Sequence, residues 1–278
     1  MTHCGCFGDF LKLKPWESFW KDIILLVAIS VLFSGRKNIN PITSPMVLST
    51  LFLLGLIFSV GFPVYAYRNL PPLDFRAYAP GMNIKENMKR DSSFREAKYE
   101  TRFLYKNLKN GEVKEFDMKN YPWQDTLNWA HDSTLNVLIH DAVNAPKITD
   151  FTVNSLDGNS ITDSLLNDKN YSFWIIMYDI KKSKDDETLI AKMKDFNKLA
   201  TGEKHEFIVL TSSGPQDIEA YKKKHNVNFE FASADGIVLK TMIRSNPGLM
   251  LVKDGTVIQN WHHHNFPSYN DVKQKYMK

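Results

Sequence analysis

The chain has 278 residues, 43% of them hydrophobic and 24% charged, with a formal net charge of +4 and two cysteines. Lysine and acidic residues are interleaved and no long basic run carries aromatics, so no nucleic acid is expected as a partner. Two cysteines one residue apart close a tiny ring at most, which excludes a disulfide-stapled scaffold.

Those cysteines stand at the very start, in MTHCGCFGDF. From the residues alone, Cys4 and Cys6 read as a redox pair, as part of a metal site with His3, or as inert thiols. A Cys-x-Cys disulfide is geometrically strained and therefore easily reduced, and Gly5 and Gly8 lend the backbone freedom such a ring needs. Lys12 or Lys14 could support a thiolate, with Asp9 opposing it. His3, Cys4 and Cys6 would give three metal ligands, at a spacing unlike that of a usual zinc site.

Two apolar stretches follow. Met46–Tyr67 is 22 residues without a charge, long enough to cross a bilayer. Ile23–Gly35 reaches a spanning length when extended back through PWESFWKD, with Trp16 and Trp20 as interfacial anchors and Pro15 at the first turn. The expectation is two transmembrane helices, at about 19–35 and 46–67, forming a hairpin with both ends on one side. Charge does not choose that side, because Lys12, Lys14, Arg68 and Arg76 balance Arg36 and Lys37.

Beyond the second stretch, NLPPLDFRAYAPG reads as an extended spacer, with Asp74 and Arg76 anchoring it to the membrane or to a domain surface. Alternating residues around Lys109-Asn110-Gly111 predict a hairpin, and with YPWQDTLNW a small β module. From Pro146 strands and helices alternate: a strand and turn in ITDFTVNSLDG, a buried strand in YSFWIIMYDI, and a helix capped by Ser183 with Leu189, Met193, Phe196 and Ala200 on one face. Then come the strand EFIVLTSS, a helix from Pro215, the strand FEFASAD, the helix GIVLKTMIRS, a hairpin turning at Asp254-Gly255 and a closing helix. Such an order predicts an α/β sandwich on a mixed sheet.

This order, with SNPGLMLVKDGTVI near its end, resembles the thioredoxin fold of the peroxiredoxin and TlpA kind. The resemblance implies a cis peptide bond before Pro247, and a cleft lined by Tyr178, Asp179, Asn246 and Pro247. It also places the superfamily's Cys-x-x-Cys after the strand ending near Met177, where this chain has YDIKKSKDDE, without cysteine. A self-contained thiol oxidoreductase in that domain is thereby excluded. His262, His263 and His264 border the same region. His262 and His264 are weak metal candidates; an exposed strand end is the preferred reading, and no metal or other cofactor is expected.

CGCFGDFLKLKPWESFWKDIILL and the exit LDFRAY are similar to the C-terminal part of a Bacteroidetes form of the DoxX-like and MauE-like membrane proteins, fused to a thioredoxin-like domain. The resemblance implies that further helices precede this motif, so the chain is expected to be a piece of a longer protein. It also implies thiol–disulfide or respiratory redox chemistry outside the cytoplasm. The expected organisation is a partial membrane bundle (1–68), an exit with a β-hairpin module (69–145) and a thioredoxin-like domain lacking Cys-x-x-Cys (146–278). The expected location is the bacterial inner membrane, with the soluble domain in the periplasm. The expected function is thiol–disulfide exchange at Cys4 and Cys6 on a thiol- or disulfide-bearing protein client, with a membrane redox partner. The alternative is a non-enzymatic membrane scaffold whose cleft binds a protein.

Overall fold

Pro15 begins the first long helix in the computed structural model, which describes the backbone of residues 4–7, 11–38, 44–140 and 142–277, with side chains from Lys14 onward. Ahead of it, β1 (Cys4–Phe7) pairs antiparallel with β2 (Leu11–Leu13), with an extra residue on β1 between the pairs Cys4–Leu13 and Phe7–Leu11. Helix α1 (Pro15–Gly35) opens with the Lys14 amide donating to Glu17 Oε2 at 2.8 Å, so an acidic side chain serves its electropositive end. Its 21 residues reach roughly 32 Å at 1.5 Å per residue. Helix α2 (Pro45–Arg68) is longer, with Pro63 inside it, and all of its side chains are exposed. Both helices are long and apolar enough to cross a membrane, as expected from the sequence, the first extending back to Pro15.

Contacts gather the chain into two compact units, Met1–Lys85 with Asp150–Lys278, and Glu86–Thr149. A short helix α3 (Ile84–Met88) lies at the passage between them in sequence. The second unit is built on an antiparallel sheet of β3 (Lys98–Asn107), β4 (Val113–Asp117) and β5 (Trp129–His140), in the order β4-β3-β5. The predicted Asn-Gly turn joins β3 to β4: Gly111 has φ +74°, and its amide donates to Asn107 O. Tyr105, Phe116, Tyr121 and His131 pack as a ring cluster on this sheet.

In the first unit the chain runs β6 (Val153–Ser155), α4 (Thr162–Asn167), β7 (Tyr171–Ile176), α5 (Glu187–Gly202), β8 (Glu206–Thr211), α6 (Pro215–His225) and β9 (Glu230–Ala234). It continues through α7 (Gly236–Met242), β10 (Gly248–Lys253), β11 (Thr256–His262) and α8 (Tyr269–Tyr276). The sheet order is β11-β10-β7-β8-β9-β6; β7, β8 and β9 are parallel, and β10, β11 and β6 antiparallel to their neighbours. β7, β8 and β10 are buried almost throughout, because helices cover the sheet. Phe173 and Ile175 face a core completed by Met193 and Phe196 of α5 and Tyr269 and Val272 of α8. Asp254 (φ +47°) and Gly255 (φ +69°) make the tight turn between β10 and β11.

Two expectations are corrected here. The cap of α5 is Asp186, whose carboxylate accepts from Leu189 N at 3.0 Å, and not Ser183. Ser183 instead ends a separate 3-10 turn, Ile180–Lys182, which uses the residues a longer helix would have taken. The Pro-rich exit is no free spacer either. Gly81 N donates to Val257 O, Val257 N to Met82 O, and Ile84 N to Gly255 O. Tyr78, Ala79 and Ile84 are buried, and Phe151 lies between the rings of Tyr78 and Trp174. The exit thus covers the β11 edge, which would otherwise offer unpaired backbone groups.

Candidate functional site: the cis-proline loop and the histidine run

The loop Ile243–Pro247 leads from α7 into β10, and its Asn246–Pro247 peptide bond is cis. Asn246 ties this loop to the segment after β7 twice: its Nδ2 donates to Asp179 O at 2.8 Å, and its carbonyl accepts from Lys184 N at 2.9 Å. Ser213 Oγ accepts from Ile180 N at 3.0 Å, and Ser212 Oγ donates to Tyr178 O. Four hydrogen bonds from three residues on two loops therefore hold the 178–184 segment in place.

Of the sequence-derived cleft residues, Asn246 and Pro247 are buried, whereas Tyr178 and Asp179 are partly exposed. Lys240 Nζ lies 5.6 Å from the Tyr178 ring centre, within cation–π range. Partial burial pushes the Asp179 carboxyl up, but the hydrogen bonds and charge of Lys182 outweigh that and hold it below its ordinary value. These side chains offer hydrogen bonds and charge. The segment 178–184 contains no thiol.

On the other side of the loop stands the histidine run. His262 ends β11, and a 3-10 turn over His263–Asn265 brings the three rings together. The rings of His262 and His264 stack at 4.9 Å and 17°, with His263 at 4.1 Å from each. The exposed strand end expected here is not what forms: His262 is buried, His263 half-buried and only His264 exposed. The turn folds the strand end back, which a period-of-two reading cannot anticipate. Ser245 connects the run to the cis-proline loop. Its hydroxyl donates to Pro247 O and accepts from His263 N at 3.0 Å, with His263 Nδ1 also at 3.0 Å. Burial, then the neighbouring imidazole of His264, holds His262 down at about 4. Burial and the charges of His262, His264 and Lys184 hold His263 at about 4 as well. Both are uncharged at neutral pH.

The backbone of Cys4 and Cys6 lies in β1, and their side chains fall outside the described residues, as does His3. Sequence reasoning missed Ser245, Ser212 and Ser213. A serine two residues before a strand-opening proline carries no chemical signature until the fold sets it beside His263.

A mixed sheet of this order, entered through a cis-proline at the first strand of its terminal hairpin, defines a thioredoxin-like α/β domain, here following two apolar helices. Residues 99–139 match a Domain of unknown function (DUF8463), and no curated protein matches the chain. Among similar solved structures are a thiol-disulfide oxidoreductase from Bacteroides fragilis (12% identity, 40% of this chain and 86% of that one, TM-score 0.34) and StoA from Bacillus subtilis (12%, 45% and 93%, 0.34). Yeast Sco1 is a third (12%, 46% and 90%, 0.34).

Proposed function

We propose that this chain is a membrane-anchored, redox-associated protein whose Cys4 and Cys6 exchange disulfides while its thioredoxin-like domain holds a protein client. One observation carries this reading: the domain keeps the cis-proline loop bonded to the segment after β7, yet that segment has no cysteine and the chain's two thiols lie together at Cys4 and Cys6. Anchoring is supported by α1 and α2, which are apolar and almost entirely uncovered by protein and need lipid or other helices around them. The similarity of CGCFGDF and LDFRAY to DoxX-like and MauE-like proteins supports placing the thiols and the soluble domain in the periplasm, at the inner membrane.

In the exchange, a client thiolate attacks the Cys4–Cys6 disulfide, forming a mixed disulfide and releasing one cysteine thiolate, which is then protonated. A second client thiolate attacks the mixed bond, so two electrons pass from the client to the pair and the client gains a disulfide. A membrane redox partner carrying disulfide or quinone chemistry reoxidises the pair. Tyr178 and Asp179 supply the exposed groups that position the client.

The test is alkylation of the thiols across glutathione buffers, on protein with any preceding helices present. A reversible two-electron transition, at roughly −200 to −120 mV, supports the exchange. If Cys4 and Cys6 never join, or if replacing both by serine leaves cellular function intact, the chain is a membrane scaffold that binds its partner without redox chemistry.

A further inference from the structure

We propose that His262, His263 and His264 form a site for one borderline divalent transition-metal ion of the zinc type, with an open coordination position on the solvent side. The ligand atoms of the three side chains lie within 4.8 Å of one another. His262 Nδ1 and His264 Nδ1 are 3.1 Å apart. At a metal–nitrogen distance of about 2.1 Å, that separation corresponds to an angle near 95° at the ion, inside the range such ions accept. The third ring offers its ligand atom within 4.8 Å of the other two, and an ion binding there draws it in. Imidazole is a ligand for zinc, copper, iron and nickel, and among the described residues no carboxylate or thiolate belongs to this cluster.

The hydrogen bonds around the run point the same way. Ser245 Oγ spends its one proton on Pro247 O, so the contact from His263 Nδ1 at 3.0 Å places a proton on Nδ1 and leaves the Nε2 lone pair free. An imidazole oriented by a hydrogen bond on one nitrogen and available at the other is the arrangement found behind metal-binding histidines. His262 Nδ1 accepts from His264 N at 3.2 Å, so it is the unprotonated nitrogen of that ring, and an ion bound there replaces this hydrogen bond. Because His264 is exposed, water or a ligand can take the remaining position, and three protein ligands with one open position define an exchangeable site. Asn265 Nδ2 donates to Asn69 Oδ1 at 2.7 Å, and the Tyr67 ring is 6.2 Å from that of His264. The site therefore sits beside the C-terminal end of α2.

This assignment is independent of the thiol reading. Untagged full-length protein in detergent, titrated with zinc chloride by calorimetry, is expected to bind one ion per chain, with heat-stable folding improved by the ion. His264→Ala, at the exposed position, is expected to weaken binding by about ten-fold or more and to abolish the thermal shift, and Ser245→Ala to weaken it by a smaller factor. Cys4→Ser with Cys6→Ser is expected to leave the affinity unchanged. Cobalt(II) replaces zinc as a spectroscopic probe of the wild-type chain, and a visible band without thiolate charge transfer is expected. Absence of binding at micromolar zinc, a one-to-one site indifferent to His264→Ala, or one lost with the two cysteines overturns the proposal.

Discussion

Asn246 Nδ2 donates to the backbone carbonyl of Asp179 across 2.8 Å, joining the loop that precedes β10 to the loop that follows β7. Asn246 is buried, so water cannot replace this bond. Asn246→Ala is expected to lower stability by about 1–2 kcal/mol, measured by thermal unfolding in detergent. Asn246→Asp is expected to cost more, since a carboxylate cannot donate to a carbonyl and would be buried beside one. Equal losses for the two substitutions would show that the bond contributes nothing specific.

Asp74 and Arg76, predicted from LDFRAY to anchor the exit, form a bidentate pair whose side chains are only 12% and 8% exposed. Arg76 Nη1 also donates to Thr241 O at 3.2 Å, so the anchor is the domain surface at α7. Removing one partner strands a buried charge, at about 3–5 kcal/mol, so Asp74→Ala is expected to unfold the exit at markedly lower temperature. Burial raises the Asp74 carboxyl, but Arg76 overrides it and the folded value lies below the ordinary 3.8. A carboxylate lowered in the folded state stabilises above its unfolded pKa and loses that contribution as pH falls through the folded value. The wild-type advantage over Asp74→Asn is therefore expected to be full at pH 7 and to vanish only below pH 3.8.

Gly248 opens β10 directly after Pro247. A Cβ there would stand 2.6 Å from Ile243 Cδ1 and 2.9 Å from Ile243 Cγ2, and Ile243 is itself fully buried. Gly248→Ala is expected to cost about 1–3 kcal/mol by overpacking. Ile243→Ala combined with Gly248→Ala is expected to cost less than the sum of the two single changes, because the smaller neighbour makes room. Strict additivity in unfolding measurements would place the strain elsewhere.

The parts of this fold legible in the sequence are those set by local chemistry. Gly111, Asp254 and Gly255 take positive φ, and the Asn-Gly and Asp-Gly pairs they belong to gave their hairpins away; the uncharged run through Met46–Tyr67 declared a helix by length. The apolar face of α5 was visible at Leu189, Met193 and Phe196, but its cap was not. Ser183 and Asp186 are both competent caps, and the choice rests on Asp179 closing a 3-10 turn first. The docked exit was hidden for a related reason: prolines announce an extended chain, while the contact of Tyr78 with Phe151 depends on residues far apart in sequence. The histidine run was conspicuous, yet its geometry was not. Burial of His262 and orientation of His263 by Ser245 come from the fold alone.

Glu206 supplies a pH-dependent prediction. It opens β8 opposite Ser172 of β7, half-buried. Burial first, then the charges of Asp168 and Glu230, raise its carboxyl from 4.5 to about 7. A carboxyl raised in the folded state binds its proton more tightly there than in the unfolded chain. Stability therefore falls as pH rises from 4.5 to about 7, and the full cost is present above that. The shift corresponds to at most about 3 kcal/mol, reduced to about 1–2 kcal/mol by the partial exposure of the group. Glu206→Gln, which keeps the shape and cannot ionise, is expected to raise the unfolding temperature at pH 8 and to leave it nearly unchanged at pH 4.5. A pH-independent gain would assign the effect to packing, and no gain at pH 8 would mean that Glu206 ionises without penalty at the head of β8.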